Sequence, residues 1–365
     1  MVESHPQNAV RSWRSLIGLP NLIWLPRLTA GIYALTSVLH AKKVIVPNNC
    51  CLNVVYGVLL GGAEPVFCEI DIKTGSLNVN ACEELLERTK AEMVVHVHLF
   101  GLYSDRLPIH ALCRRFGAMY FEDAACWFPP VPSYEILPAS CLGLSFGVKK
   151  IFDLGGGGIL CCADASLAYE VEKYLEFLPE QAVTLPDYES VYGHMVGPDR
   201  LPACDASDFS SLAFQFRALW INKTGYYVKA LSKSQVDEER RRRRDLSAAI
   251  AQELSQYEDV ETLADTSFDF PWRFSFLTKN SGLVERIFGE NGFFVSRLYP
   301  PLDRFFPSFE RSQCLDNSYR CGAEIFNVPV DAGVRIDRIK RAFVTYRRSP
   351  LTRRLISLAR RVAWR

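Results

Sequence analysis

Short apolar, β-branched segments alternate with segments of helical periodicity between residues 30 and 162. Within the apolar segments polar positions do not alternate with apolar ones, which is typical of parallel strands covered by helices on both faces. The predicted strands are Lys43–Pro47, Pro65–Ile70, Glu92–His98, Ala118–Glu122, Cys141–Phe146 and Gly158–Cys162. The predicted helices between them are Gly31–His40, Leu52–Leu60, Asn80–Arg88, Leu107–Phe116 and Asp164–Phe177. Right-handed crossovers bring the strand ends to one edge of such an α/β sheet, where we expect the functional site.

The second half of the chain has a weaker pattern. Residues 178–210 are rich in Pro, Gly and Asp and predict a long loop, and residues 211–257 predict helix. Residues 258–346 mix predicted strands and helices, which indicates a smaller α+β domain; these are the strands Trp272–Leu277 and Phe293–Tyr299 and the helices Gly282–Glu290 and Val334–Arg347. The predicted organisation is an N-terminal segment 1–27, a large domain 28–225, a small domain 226–346 and a tail 347–365.

Composition places the chain among globular proteins with a full core, because 48% of its 365 residues are hydrophobic and 23% are charged. The net charge of +1 conceals a basic tail, since residues 347–365 contain seven arginines and no acid, and without those seven the sum is −6. Residues 349–365 have apolar positions at helical spacing with arginines between them, which fits either docking on protein or contact with an anionic membrane surface. No apolar segment is long enough to span a membrane or to form a signal peptide, so a cytoplasmic chain is expected.

Three conspicuous sets of residues have ordinary structural explanations. Arg240–Arg244 follows two glutamates, which predicts ion pairs four residues apart on a solvated helix face. His96 and His98 are expected to face opposite sides of one strand as buried, hydrogen-bonded residues. The twelve cysteines lack zinc-binding spacing, and several lie in apolar runs, which predicts buried thiols in a reducing compartment. Neither a metal site nor a nucleic-acid interface is predicted.

Acid, hydroxyl and amine groups follow two neighbouring predicted strands. Asp123 ends one strand, and Ser145 ends the next, shortly before Lys149 and Lys150. These groups suit pyridoxal 5'-phosphate (PLP), because a lysine forms a Schiff base with its aldehyde, an aspartate keeps its pyridine nitrogen protonated and a serine binds its phosphate. The spacing alone also allows ordinary charged loops. The following glycine run, Gly155–Gly158, fits neither a dinucleotide fingerprint nor a P-loop and predicts a tight turn.

Several segments taken together resemble the DegT/StrS-type PLP-dependent sugar aminotransferases, which have fold type I. The resemblance extends from about Leu28 to Tyr346 and rests on the segments Val44–Pro47, Gly62–Asp71, Val97–Gly101 with Asp105, Glu122–Ala125, and Ser145–Phe146 up to Gly157–Gly158. It implies a mostly parallel central sheet, a smaller C-terminal α+β domain and a homodimer. It also implies transamination of a nucleotide-linked keto sugar by an amino-acid donor, in polysaccharide or secondary-metabolite biosynthesis.

The resemblance assigns roles to individual residues. The family's Schiff-base lysine lies five residues after the serine and seven before the closing glycine pair, which is Lys150 here and makes Lys149 a solvated neighbour. Asp123 corresponds to the partner of the pyridinium nitrogen and Ser145 to a phosphate ligand. The remaining cofactor-binding positions are Cys126, near the ring hydroxyl, and the backbone N–H groups of Gly31 and Ile32 at a helix start, near the phosphate.

Other positions depart from the family pattern. Ala30-Gly31-Ile32 stands where the family has Ser-Gly-Thr, and Cys126 where it has Gln or His. Asn48-Asn49-Cys50-Cys51 replaces a segment with a hydroxyl and an aromatic residue, and Gly156 replaces a Glu. The sequence therefore predicts an aminotransferase with an altered pocket. It leaves open a non-catalytic partner or scaffold subunit, or another PLP reaction on a non-sugar substrate.

Overall fold

A seven-stranded sheet forms the centre of the protein in the computed structural model. The structure describes residues 13–18, 21–130, 134–147, 149–178, 231–263, 269–293, 296, 298–331 and 333–348. The strands of this sheet are β1 (Leu22–Leu25), β2 (Lys43–Pro47), β3 (Glu64–Cys68), β4 (Met93–Val97), β5 (Met119–Ala124), β6 (Ser140–Ser145) and β7 (Gly158–Cys162). The helices on its faces are α1 (Leu28–Val38), α2 (Leu52–Leu60), α3 (Val79–Thr89), α4 (Leu107–Phe116) and α5 (Ala165–Phe177). The six strands predicted for this region are all present, within two residues of the predicted bounds.

The strand order β1-β7-β6-β5-β4-β2-β3 makes this a mostly parallel sheet. Strands β2 to β6 run parallel, whereas β7 is antiparallel to both β6 and β1. β7 follows β6 through a loop without a crossover helix, so the chain returns in the opposite direction. The register pairs Val97 with Asp123 and Ser145 with Gly158. The ends of β4, β5 and β6 and the start of β7 therefore meet at one edge, which we call the carboxyl edge.

The unalternated apolar segments form strands because both of their faces are covered. On one face Ile45, Val94 and Tyr120 pack with residues of α3 and α4, and on the other Val46 and Val95 pack with α1 and α2. Side-chain caps define where two of the covering helices begin. Asn78 Oδ1 accepts the Ala81 N–H at 3.0 Å at the start of α3, and Asp164 Oδ1 accepts the Leu167 N–H at 2.8 Å at the start of α5.

A smaller antiparallel sheet follows in the order β10-β9-β8, built from β8 (Val260–Thr262), β9 (Arg273–Thr278) and β10 (Ile325–Pro329). The helices of this region are α6 (Lys233–Leu254), α7 (Ser281–Glu290), α8 (Asp316–Glu324) and α9 (Ile336–Arg348). Phe276, Phe288, Phe326 and Phe343 form its buried centre. The predicted strand Phe293–Tyr299 is wrong for the residues that the structure describes there, where Ser296 forms an isolated bridge to Asn327.

The arginine run of α6 is less solvated than its sequence suggests. The expected ion pairs are present, since Glu239 accepts from Arg242 and Arg243. The prediction of a wet face is wrong for Arg243, which is 4% exposed in its side chain and donates from Nη1 to the carbonyls of Pro271 and Trp272. Arg243 thereby fixes the segment that leads into β9.

Several predictions lie on residues that the structure leaves undescribed. These are the loop 178–210 after Leu178, the helical stretch before Leu231 and the tail 349–365. The domain boundaries stay predictions. Among the helices of the described ranges, none combines the length and the apolar character that crossing a membrane requires.

Candidate active site

Asp123 lies near the end of β5, at the centre of the carboxyl edge. Its side chain is almost fully buried, and Oδ1 accepts the Ala125 N–H at 2.8 Å. Burial raises the pKa of Asp123 above its usual value, although the Ala125 N–H, Lys150 and His98 act in the opposite direction. A buried carboxylate with a raised pKa is a group that a cationic ring nitrogen would stabilise.

The loop after β6 separates the orientations of Lys149 and Lys150. Lys149 has a left-handed φ of 65° and donates its N–H to Asp153 Oδ2 at 2.9 Å, while Lys150 donates its N–H to the Gly147 carbonyl at 3.1 Å. This turn leaves Lys149 exposed and directs Lys150 towards Asp123. Lys150 Nζ lies 3.7 Å from Cys126 Sγ and 5.4 Å from the centre of the Trp272 ring.

The surroundings of Lys150 favour its protonated form. Burial lowers its pKa, but the combined effect of Cys126, Cys51 and Asp123 in the opposite direction is larger. The pKa of Lys150 therefore lies above its usual value. Burial raises the pKa of Cys126, although Lys150 acts against this. The pair is therefore an ammonium group beside a neutral thiol, and Lys150 has to lose a proton before it can act as a nucleophile or a base.

Ser145 and the start of α1 occupy one corner of the carboxyl edge. The glycine run turns there, with positive φ at Gly155, Gly156 and Gly157, and the Gly157 N–H donates to the Pro26 carbonyl at 3.1 Å. A Cβ on Gly158 would lie 3.1 Å from the Leu28 nitrogen and 2.8 Å from the Leu144 oxygen. The absence of that Cβ lets the amino end of α1 pack against β7, beside the residue that pairs with Ser145.

Gly31 and Ile32 do not lie at the start of their helix, where their backbone N–H groups were predicted to bind the phosphate. The helix begins at Leu28, three residues before the predicted start. In a regular helix the N–H groups of Gly31 and Ile32 therefore point to the carbonyls of Arg27 and Leu28 and are not free for a ligand. Ala30 already donates to the Arg27 carbonyl at 3.0 Å. The backbone donors left at this helix start are those of Leu28 and Thr29, one turn earlier than expected.

His98 and Glu122 form a buried pair beside Asp123. His98 Nε2 lies 2.7 Å from Glu122 Oε1, and the Ser104 N–H donates to His98 Nδ1 at 3.2 Å, which places the proton on Nε2. The prediction that His96 and His98 face opposite sides is wrong, because alternate residues of a strand share a face. Their ring centres are 5.2 Å apart, and burial lowers the pKa of His96 to about 3.

Two residues of the smaller domain complete the site and were not predicted. Trp272 donates from Nε1 to the Lys149 carbonyl at 2.5 Å, and Arg273 follows it as the first residue of β9. Both residues line a cavity of about 430 Å³ together with Lys150. The available signal was an aromatic-basic pair at the start of a predicted strand, but nothing in the sequence connects it with a lysine more than a hundred residues earlier.

The groups gathered at the carboxyl edge fit PLP. Lys150 offers an amine, Asp123 a buried carboxylate, and Ser145 with the amino end of α1 a hydroxyl and backbone donors. These are the partners that the aldehyde, the pyridine nitrogen and the phosphate of the cofactor require. Among the described residues no group of three or more His, Cys, Asp or Glu side chains is arranged to hold a metal ion.

Residues 28–197 match the sequence model of the DegT/DnrJ/EryC1/StrS aminotransferase family. One relative is the L-glutamine:2-deoxy-scyllo-inosose aminotransferase of Streptomyces fradiae, 32% identical over 178 residues, which are 47% of this chain and 41% of that protein. Another is the dTDP-3-amino-3,6-dideoxy-alpha-D-galactopyranose transaminase of Aneurinibacillus thermoaerophilus, 34% identical over 26% of this chain and 28% of that protein. The chain thus spans less than half the length of the curated relatives it matches.

The solved structure of DesI, determined in the presence of its TDP-sugar product, superposes with a TM-score of 0.70 at 19% identity. The superposition covers 98% of this chain and 88% of DesI. At this identity the similarity shows the fold alone. It confirms the predicted fold class, an α/β transferase fold with a mostly parallel central sheet and a smaller C-terminal domain, and the family match confirms the resemblance found in the sequence.

Proposed function

We propose that this chain, whose residues 28–197 match the DegT/DnrJ/EryC1/StrS aminotransferase family, is a PLP-dependent aminotransferase of that family acting on a nucleotide-linked keto sugar. The observation that supports the proposal most strongly is the meeting of Lys150, Asp123 and Ser145 at one edge of the sheet. The transferase names of the relatives support the reaction class, and the dTDP-sugar name of one of them supports the substrate class.

PLP, when bound, supplies an electron sink that stabilises negative charge on the carbon next to the transferred nitrogen. Asp123 would hold the pyridine nitrogen in its protonated form. Ser145 and the backbone donors of Leu28 and Thr29 would hold the phosphate at the amino end of α1. Lys150 would anchor the aldehyde and, once released by the amino donor, move a proton at the donor carbon.

The enclosed setting of Lys150 explains how one group can serve both purposes. Both the Trp272 ring and the Cys126 thiol lie close to its amine, which limits the freedom of the amine to leave the site. Asp123 lies close enough to contribute to the pKa of Lys150. A cationic partner for Asp123, such as a protonated ring nitrogen, would weaken the effect of Asp123 on Lys150. The pKa of Lys150 would then fall, and a larger fraction of its amine would be deprotonated.

The proposal also includes a cytoplasmic homodimer, in which the amino donor is an amino acid and the pathway makes a polysaccharide or a secondary metabolite. Contact of residues 349–365 with a membrane surface stays a prediction of the sequence. The principal competing function is that of a non-catalytic partner subunit, which the thiols Cys51 and Cys126 near Lys150 favour.

Reaction of the purified full-length protein with PLP tests the proposal. We expect a visible absorbance band, and after borohydride reduction a pyridoxyl group on Lys150 in peptide mapping. Lys149→Ala is the matched control and should retain the band, whereas Lys150→Ala should lose it. A label on Lys149 would show that the assignment is displaced by one residue. No band and no label at excess PLP would reject the enzyme and leave the partner subunit.

A further inference from the structure

Five consecutive arginines of α6 divide into two groups with different surroundings. Arg242 and Arg243 pair with Glu239, three and four residues before them. The remaining three line a concave cavity of about 360 Å³, which we call the arginine cavity; they are Arg240, Arg241 and Arg244. This volume lies within the range of small-molecule sites. The ion pairs that the sequence predicted therefore account for only part of the arginine run.

Arg240 is held in place by backbone carbonyls and an aromatic ring. Its Nη2 donates to the Phe128 carbonyl at 2.7 Å and to the Pro129 carbonyl at 2.9 Å, and its Cζ lies 4.7 Å from the centre of the Phe270 ring. None of these partners carries a negative charge. A guanidinium group that is already oriented loses little conformational freedom when it binds an anion. Arg240 is therefore a fixed cation in the lining of the arginine cavity.

The charges around the arginine cavity leave it positive. Burial lowers the pKa of Arg240 to about 10; Asp237 acts against this, and the positive charge of Arg244 acts with it. Asp237 is engaged by Lys233, whose Nζ lies 2.6 Å from Asp237 Oδ2. The second acid in the lining is Asp245. The three arginines and Lys233 thus exceed the two acids by two charges, and a concave site with such an excess attracts anions.

The arginine cavity is separate from the cavity that contains Lys150. The cavity at Lys150 is lined by Glu239 and Arg243, each of which lies one position before an arginine of the other group. Because consecutive helical residues point about 100° apart, the two cavities lie on different sides of the same turns of α6. Among the described residues, none lines both cavities, and Ser145 lines neither. An anion in the arginine cavity would therefore be a second ligand, in addition to PLP.

We propose that the arginine cavity binds a phosphorylated anion, whose oxygens accept hydrogen bonds from Arg240 and Arg244. These two residues are four apart on one helix face, so both guanidinium groups can reach the same ligand. The fork of N–H groups in a guanidinium matches two oxygens of a phosphate. A phosphate group carries a charge of about −2 near neutral pH, which balances the excess of two cations better than a single carboxylate does. The group can come from an inorganic phosphate or from a nucleotide, and the site does not depend on the proposed function.

Calorimetric titration of the full-length protein tests the site with inorganic pyrophosphate, dTDP and thymidine. We expect pyrophosphate and dTDP to bind, and thymidine, which has no phosphate, to bind far more weakly than dTDP. Arg244→Gln should weaken the binding of both anions about tenfold, because it removes a charge-assisted hydrogen bond. The control Arg286→Gln replaces an exposed arginine of α7 and should match the wild type. Equal affinities in the wild type and Arg244→Gln, no binding of either anion, or equal affinities for thymidine and dTDP would each overturn the proposal.

The ratio of the two anion affinities identifies the source of the phosphate. Similar affinities for pyrophosphate and dTDP would identify an inorganic phosphate as the ligand, and much tighter binding of dTDP would identify a nucleotide. In both cases added KCl should weaken binding, because salt screens the charges of a cavity that is open to solvent. An affinity for pyrophosphate that does not change with salt would contradict a site made of exposed arginines.

Thermal unfolding separates anion binding from folding. Pyrophosphate should raise the melting temperature of the wild type and of Arg286→Gln, and raise that of Arg244→Gln much less. Without ligand, Arg244→Gln should unfold within about 2 °C of the wild type, as expected for a partly exposed helix residue. A much lower melting temperature would indicate a structural arginine and overturn the proposal. Arg244→Lys keeps the charge but loses the fork of N–H groups, and its affinity for pyrophosphate should lie between those of the wild type and Arg244→Gln.

Different results reject this site and the proposed function. If PLP never labels Lys150 while pyrophosphate binding depends on Arg244, the aminotransferase is rejected and the phosphate site stands. If Lys150 is labelled while pyrophosphate binds equally to the wild type and Arg244→Gln, the function stands and the phosphate site is rejected. Protein whose PLP has been fixed to Lys150 by borohydride should still bind pyrophosphate. Loss of binding in that form would place pyrophosphate in the cofactor site and overturn the proposal.

Discussion

Lys150 Nζ and Cys126 Sγ are 3.7 Å apart, so that the amine proposed to anchor PLP approaches a thiol. Cys126 contributes to raising the pKa of Lys150, and because the thiol is itself neutral, it does so through the hydrogen bond that its sulfur accepts. The thiol and the amine therefore influence each other before any cofactor is bound.

Removing this thiol should make Lys150 more reactive. In Cys126→Ala, burial still lowers the pKa of Lys150 while one group that raises it is gone, so the pKa should fall. At a fixed pH of about 8, each unit of this fall increases the free amine, and thus the acylation rate of Lys150, about tenfold. Mass spectrometry of the cofactor-free protein measures that rate with Lys149 as an internal standard. The control is Cys113→Ala, which removes a buried thiol of α4 that packs with residues of α3; equal acylation rates of Lys150 in both variants would contradict the coupling.

Asp123→Asn should have opposite effects on the cofactor-free and the PLP-loaded protein. The raised pKa of Asp123 means that the folded protein destabilises the charged carboxylate, so the neutral Asn should raise the melting temperature slightly at neutral pH. With PLP the same change removes a charge-assisted hydrogen bond, and we expect about 10- to 100-fold weaker PLP binding. Calorimetry and PLP titration measure the two quantities, with Asp245→Asn on the exposed side of α6 as control. A lower melting temperature in the cofactor-free state would be inconsistent with the unfavourable burial of this charge.

Glu122 should determine part of the acid stability. Its neighbours His98, Tyr134 and Arg106 outweigh burial and lower its pKa. A carboxylate with a lowered folded-state pKa stabilises the protein above its unfolded value of about 4.5, and this contribution disappears as the pH falls through the folded value. Glu122→Gln should cost about 1–3 kcal/mol at pH 7, a difference that narrows below about pH 4. Urea unfolding at both pH values measures this, and Glu87→Gln on the exposed face of α3 should show no such dependence; a constant difference would exclude Glu122 as the titrating group.

The large domain was predictable because short, continuous segments of its sequence determine its strands and helices. Unalternated apolar segments such as Lys43–Pro47 can be stable only as buried strands, and the residues that end β5 and β6 were assigned to a site through the family resemblance. The strand β1, by contrast, lies in the segment 1–27 and is stabilised by pairing with β7, more than 130 residues away. A four-residue apolar run has no local signal that distinguishes it from a loop.

The residues of the site that could not be predicted depend on contacts between distant segments. Trp272 and Arg273 reach Lys150 only because β9 and the loop after β6 meet in the folded chain. The start of α1 was misplaced by one turn because its N-cap residue is Arg27, whose side chain forms no capping hydrogen bond. The usual N-cap signal, a Ser, Thr, Asp or Asn, is therefore missing from the sequence. Asn48 and Asn49 were interpreted as departures in the pocket, although they form hydrogen bonds to a C-terminal segment.

Asn48 and Asp303 exchange two hydrogen bonds in the protein interior. Asn48 Nδ2 donates to Asp303 Oδ1 at 2.8 Å, and the Asp303 N–H donates to Asn48 Oδ1 at 2.9 Å. The Leu302 N–H also donates to the Asn48 carbonyl at 2.8 Å, and Asn49 Nδ2 donates to the carbonyls of Tyr299 and Ser318. These contacts attach the segment 299–318 to the end of β2.

Asn48→Ala should therefore lower the free energy of unfolding by about 2–5 kcal/mol, because it leaves a buried carboxylate oxygen and a buried N–H unpaired. The exposed pair of Asn280 with Asp259 offers a control, and Asn280→Ala should change stability by no more than about 0.5 kcal/mol. A double-mutant cycle with Asp303→Ala, followed by urea unfolding, isolates the direct interaction, for which we expect about 1–3 kcal/mol. Strictly additive effects would mean that the two residues stabilise the protein independently, and the attachment of segment 299–318 would then have to rest on Asn49 and its carbonyl partners.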